Sequence, residues 1–395
     1  MSLQNTPRAN RLHIGIFGPR NSGKSSLLNA LTGQAFAVVS DIAGTTTDPV
    51  YKSMELHGVG PVVWIDTAGF DDEGALGAMR VQKTQEALQR TDIALLLFSE
   101  ASAQELSWLE QLKAKKIPVI PVINKSDVRS DCASLSAQIE TLCHEKPVLV
   151  SASTGDGLAA LKERLLRLLP EDYQAESITA HLVQPGDTVL LVMPQDLQAP
   201  KGRLILPQVQ TTRDLLDHDC IIISCTTATM EQALASLAEP PKLIITDSQA
   251  FAFVYAHKPA ASLLTSFSVL FARYKGDIQQ FVAGAAAIEQ LTPNSRVLIA
   301  EACTHAPLTE DIGRVKIPKL LRQRIGEALA IDFVRGTDFP ADLSSYDLII
   351  HCGACMFNRR YVLNRLEQAA AQQVPMCNYG IAIACLSGIL DKIVY

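Results

Sequence analysis

Several things this chain has little of narrow its possible roles. Charged residues make up only 19% of its 395 positions and aromatic residues 6%, and the formal net charge is −6. There is no basic excess of the kind that holds nucleic acid. No apolar run reaches the ~18 residues of a membrane span. The polar stretch 1–10 is not followed by an apolar signal core. Repeats of 20–50 residues and low-complexity segments are missing as well. These absences predict a cytoplasmic protein without membrane or nucleic acid as partner. Nine cysteines in such a chain do not suit a disulfide framework. Five of them, Cys303, Cys352, Cys355, Cys377 and Cys385, fall in the last quarter. That bias points to metal or redox chemistry there, or to small buried apolar residues.

What is present reads as a globular chain, with 48% hydrophobic residues. At ~100–200 residues per domain, two or three domains are expected. Apolar runs at 11–17, 62–65, 93–98, 119–123 and 148–150 read as strands, with helical patterns between most of them. This alternation predicts an α/β fold with a mainly parallel sheet. A helix over 158–169 ends at Pro170, and the polar stretch 171–179 reads as a linker. A second block carries strands at 188–193, 220–224 and 243–246, with helices at 211–216 and 229–237. A block of only ~85 residues gains core by pairing with another copy. A third block has strands at 296–300, 331–334, 348–351 and 374–378, with helices at 320–330 and 359–371. The expected partition is 1–172, 173–263 and 264–395: an N-terminal P-loop sheet, then two smaller α/β domains.

Gly18-Pro19-Arg20-Asn21-Ser22-Gly23-Lys24-Ser25 fits the phosphate-binding loop G-x-x-x-x-G-K-S, between a predicted strand and a predicted helix. Its glycines let backbone N–H groups face phosphates, and the helix N-terminus adds favourable partial charge. Ser22, Gly23 and Ser26 complete the cradle. Lys24 is expected to reach the β/γ-phosphates and Ser25 to bind Mg²⁺. Asp66-Thr67-Ala68-Gly69 follows a strand, which places Asp66 to hold Mg²⁺ and the Gly69 N–H against the γ-phosphate. Asn124-Lys125-Ser126-Asp127 follows the next-but-one strand. The Asp127 carboxylate can accept from both the N1–H and the 2-amino group of guanine, a donor pair that adenine lacks. After the strand at 148–150, Ser151-Ala152-Ser153 offers the Ala152 N–H to guanine O6.

With these motifs in order, residues 12–170 resemble the translation-factor-related small GTPases. Gly44-Thr45-Thr46-Thr47-Asp48 resembles the first switch of the tRNA-modification and ribosome-assembly GTPases. That resemblance implies that Thr46, or Thr45, completes the Mg²⁺ shell. Phe70 stands where Ras-type enzymes carry a water-orienting glutamine, and an apolar side chain cannot orient water. Asn21 matches the asparagine that binds potassium in cation-dependent GTPases. Slow, K⁺-stimulated hydrolysis is the expectation, with the cation neutralising transition-state charge.

Cys303-Thr304-His305 and His351-Cys352-Gly353-Ala354-Cys355 each follow a predicted strand, at the carboxyl ends where open α/β sheets bind ligands. Three cysteines plus His305 or His351 allow a closed zinc site. They equally allow a cubane iron–sulfur cluster with one exchangeable iron. On residue types alone both remain open, and so does a ribosome-assembly or tRNA-modification type of GTPase with structural zinc.

Cys-Thr-His, His-Cys-Gly-Ala-Cys-Met-Phe-Asn-Arg-Arg and Asn378-Tyr379-Gly380 before an apolar helix resemble the FeFe-hydrogenase maturation GTPases of the HydF family. The stretch 199–208, Ala-Pro-Lys-Gly-Arg-Leu-Ile-Leu-Pro-Gln, is similar to that family's dimerisation domain. The resemblance implies a 4Fe–4S cluster on Cys303, Cys352 and Cys355 with a variable fourth ligand, His305 or His351 being candidates. It also implies a homodimer or higher oligomer that works with two radical-SAM maturases and carries a diiron precursor to the apo-hydrogenase. GTP, Mg²⁺ and K⁺ would bias its switches.

Overall fold

The computed structural model describes residues 11–32, 50–56, 60–69, 75–169, 177–194, 204–302, 312–336, 338–354 and 357–395. They form two compact units, 1–174 and 175–395.

The first unit is built on five parallel strands: β1 (Leu12–Phe17), β3 (Gly60–Asp66), β4 (Ile93–Leu97), β5 (Val119–Ile123) and β6 (Val148–Leu149). A sixth, β2 (Val50–Leu56), pairs antiparallel with β3. The order is β2-β3-β1-β4-β5-β6. β1 and β4 are buried along their whole length, because helices cover both faces. Alternate residues therefore serve opposite cores. Leu12, Ile14 and Ile16 pack with Leu27 of α1 (Lys24–Thr32) and Leu161 of α5 (Leu158–Arg167). Phe17 and Leu96 pack with Trp108 of α3 (Ala103–Ala114) and Ile139 of α4 (Cys132–Cys143). α3 begins at a capping box in which Ser102 and Glu105 satisfy each other's backbone N–H groups.

The second unit contains two four-stranded parallel sheets, ordered β10-β9-β7-β8 and β12-β11-β13-β14. The first comprises β7 (Thr188–Val192), β8 (Ile221–Cys225), β9 (Leu243–Thr246) and β10 (Leu263–Ser266). The second comprises β11 (Arg296–Glu301), β12 (Ala330–Arg335), β13 (Leu348–His351) and β14 (Met376–Asn378). The expected boundary at 263 falls on the first residue of β10. One continuous core joins the two sheets: Leu190, Val192 and Ile244 belong to the same buried cluster as Leu298, Ile299 and Ile350. Helix α9 (Phe267–Lys275), capped by Ser266, buries Phe267, Val269, Leu270, Phe271 and Ala272. The helix expected over 320–330 is instead α11 (Ile317–Ile325). It ends at Gly326, whose φ of 130° is open to glycine, and the chain then enters β12. Among the described residues no helix is long and apolar enough to cross a membrane.

Candidate functional site

The phosphate loop turns between β1 and α1. Asn21 (φ 59°) and Gly23 (φ 88°) adopt the left-handed region that the tight curl needs. A Cβ on Gly23 would fall on the Asn124 amide nitrogen, so the close approach of β5's end depends on glycine. Lys24 is buried, and its ammonium donates to the carbonyls of Gly18 (2.9 Å) and Pro19 (2.8 Å). This folds the side chain back onto the loop.

Ser25 Oγ donates to Asp66 Oδ2 at 2.7 Å. Burial raises the Asp66 carboxyl above its ordinary range, against the Ser25 hydrogen bond and the Lys24 charge. Its Oδ1 is buried with no hydrogen-bond partner. An orphaned carboxylate oxygen beside a hydroxyl is the donor set that a hydrated Mg²⁺ requires, so these residues fit the ion. Thr67 fixes the turn by donating to the Ile16 carbonyl at 2.6 Å, and Gly69 follows in the loop after β3. Thr45, Thr46 and Phe70 lie outside the described residues.

The base-reading end is tied to the phosphate end through Asn124. Its Nδ2 donates to the Ser22 (3.1 Å) and Gly23 (3.3 Å) carbonyls, and its Oδ1 accepts from the Ala152 N–H at 3.2 Å. Lys125 donates to the Asn21 carbonyl at 2.7 Å. Asp127 is exposed, and hydrogen bonds from Ser151 and then Ser153 hold its carboxyl below the usual range. The Ser153 bond is 2.9 Å. Asp127 is thus ionised at neutral pH with lone pairs facing solvent, ready for two N–H donors. The support from Ser153 was not foreseen, although the residue sits in the third position of the Ser-Ala-Ser motif.

The carboxyl ends of β11 and β13 form a second locus. The chain leaves β11 toward β12 on one side, while β13 lies on the other, so this is a topological switch point where such sheets bind ligands. Ala302, just after β11, donates its N–H to Cys352 Sγ at 3.0 Å, and the Ala354 N–H lies 3.5 Å from the same sulfur. Cys303, His305 and Cys355 lie outside the described residues, and among those described no three metal-binding side chains converge. The N–H groups of Ala302, after β11, and of Ala354, after β13, nevertheless meet at the Cys352 sulfur. Backbone N–H groups aimed at sulfur stabilise a thiolate, which suits a soft-metal or cluster ligand.

His351 is fully buried. Its Nε2 accepts from Arg365 Nη1 at 2.9 Å, and its Nδ1 faces the Cys352 carbonyl at 2.6 Å. Burial and the Arg365 charge push this imidazole down to about 3. It is therefore neutral, donating from Nδ1 and occupied at both nitrogens. Cys377 lies fully buried in β14, where burial pushes its thiol far up. It is core.

The phosphate loop tied through Asn124 to the end of β5 puts the first unit among the P-loop GTPases. Residues 13–125 match the family model of the 50S ribosome-binding GTPase. Residues 178–276 match the hydrogen maturase F dimerization domain, and residues 279–395 its tetramerization domain. These last two together take in more than half of the chain, and the chain belongs to the hydrogen maturase F family.

Among curated proteins, the tRNA modification GTPase MnmE of Chromobacterium violaceum is 39% identical over 162 residues, 40% of this chain and 35% of that one. The GTPase Der of Wolinella succinogenes is 37% identical over 171 residues, 40% of this chain and 36% of that one. The chain thus spans about a third of the length of the curated relatives it matches. A crystal structure of Aquifex aeolicus Era bound to GDP·AlF4⁻ is 20% identical with a TM-score of 0.36, covering 57% of this chain and 98% of that one.

Proposed function

We propose that this hydrogenase-maturation GTPase is a scaffold and carrier. It holds a 4Fe–4S cluster on Cys303, Cys352 and Cys355 and delivers a diiron precursor to the apo-hydrogenase. The observation that carries this reading is the Ala302 N–H on Cys352 Sγ at a sheet switch point. It brings the residue before Cys303 onto the thiol of the Cys-x-x-Cys turn. Three thiolates leave one position for a ligand that exchanges, which suits a carrier that must release its cargo. With both nitrogens of His351 engaged, that position falls to His305 or to a group from outside the chain. His351 then acts as a support for the Cys352 backbone.

In the first unit we assign Ser22, Gly23, Lys24, Ser25 and Ser26 to the phosphates. Ser25, Asp66 and Thr46 are assigned to Mg²⁺, and Asn124, Lys125, Asp127, Ser151 and Ala152 to the base. Lys24, Thr46 and Gly69 would stabilise the charge that develops on the γ-phosphate. Asn21 would hold K⁺, and hydrolysis would be slow and cation-stimulated. Nucleotide state would set the docking and release of the apo-hydrogenase and the two radical-SAM maturases.

The test is anaerobic reconstitution of the full chain, with metal analysis and EPR. About four irons and four sulfides per chain are expected, and Cys352→Ser should remove most of them. A colourless protein holding zinc instead would overturn the proposal.

A further inference from the structure

Lys275 ends α9 in the middle of the second unit and is only 2% exposed. Its ammonium donates to the carbonyl of Ala354 at 3.1 Å and to that of Phe357 at 2.8 Å. Those two carbonyls bracket Cys355. Ala354 is a non-glycine residue in the left-handed region, with φ 47°. Its two polar groups are oriented oppositely: the N–H lies toward Cys352 Sγ, and the carbonyl is taken by Lys275. A side chain from a helix almost eighty positions earlier in the chain thus holds the carbonyls of Ala354 and Phe357, two residues after Cys352 and two after Cys355. Burying an ammonium is costly unless its donors are satisfied, so its placement here calls for a role. The nucleotide chemistry, which sits in the first unit, does not use it.

We infer that Lys275 is a positioning residue for the cysteine turn. Through the carbonyls of Ala354 and Phe357 it anchors the described ends of that turn before any metal arrives, and it sets a buried positive charge next to the Cys352 turn. This deepens the cluster reading and rests on it. A nearby cation favours the more negative, reduced form of a cluster and so raises its reduction potential.

The experiment compares the full chain with its Lys275→Met variant, which keeps the apolar stem and removes the charge and donors. In metal-free protein, amide hydrogen exchange over 352–358 should speed by about tenfold or more, because the turn loses its anchor. In reconstituted protein, EPR-monitored titration should give a lower midpoint potential than wild type. Should Lys275→Met fail to fold, Lys275→Gln carries the test, since it keeps a donor and loses the charge: exchange should rise less and the potential should still fall. Unchanged exchange together with unchanged potential overturns the inference. If wild type itself takes up no cluster, the cluster reading fails, and exchange in the metal-free protein alone decides the role of Lys275.

Discussion

Single side chains set the chemistry of both loci. Asp127 owes its readiness to Ser151 and Ser153, whose hydroxyls keep it ionised while leaving lone pairs for guanine. Asp127→Asn places a donor where the base presents donors. GTP affinity should fall by on the order of 10²–10⁴-fold, and xanthosine triphosphate, which carries a carbonyl there, should bind better than GTP. Competition titrations with both nucleotides measure this. Asn21 sits in a strained turn with Lys125 on its carbonyl. Its side chain is the proposed K⁺ contact, so steady-state hydrolysis should run about tenfold or more faster in KCl than in NaCl of equal ionic strength. Equal rates would remove the cation from the reading. That Lys24, Ser25, Asp66, Asn124 and Ala152 come together was legible in the sequence, because phosphate, Mg²⁺ and guanine each demand particular groups at fixed spacing. Lys275 and Arg365 were not. A lysine or arginine on a helix ordinarily reads as a solvated face, and only packing shows that these two turn inward to the cysteine turn.

Among the elements, strands buried on both faces announced themselves as continuous apolar runs. β1, β3, β4, β5, β7, β9, β11 and β13 all lie close to where those runs predicted them. β2 was not foreseen, since its Lys, Ser and Glu interrupt the pattern and its partner is antiparallel. α9 was missed because it is apolar nearly all round, which a periodicity search cannot separate from a strand. β8 edges the first sheet of the second unit, with Ile221 56% exposed, and Leu216 on neighbouring α6 (Leu206–Asp217) is equally open. An apolar strand at an open edge invites pairing with another chain, and this segment matches a dimerization domain. Ile221→Glu should weaken self-association by about tenfold or more. Light scattering during size exclusion, over a dilution series, would show the shift to smaller species. An unchanged profile would place the contact elsewhere.

For the whole molecule, nucleotide turnover and the proposed cargo handling fall to different compact units, so their coupling has to be measured. Lys24→Ala should slow GTP hydrolysis by about 10²–10³-fold and leave iron content near wild type. If apo-hydrogenase activation by that variant also survives intact, nucleotide state does not time delivery. The second unit poses a different constraint. Its two sheets share one core, from Leu190 and Ile244 through Leu298 to Ile350. A segment that matches a dimerization domain and a cysteine turn built over common packing cannot swing independently. Every copy joined through the first sheet would then carry its sulfurs at the same fixed offset, as teeth are set on a comb. Paired copies would hold their two loads at a single separation, with no linker to blur it. A visiting enzyme would meet a template of constant pitch.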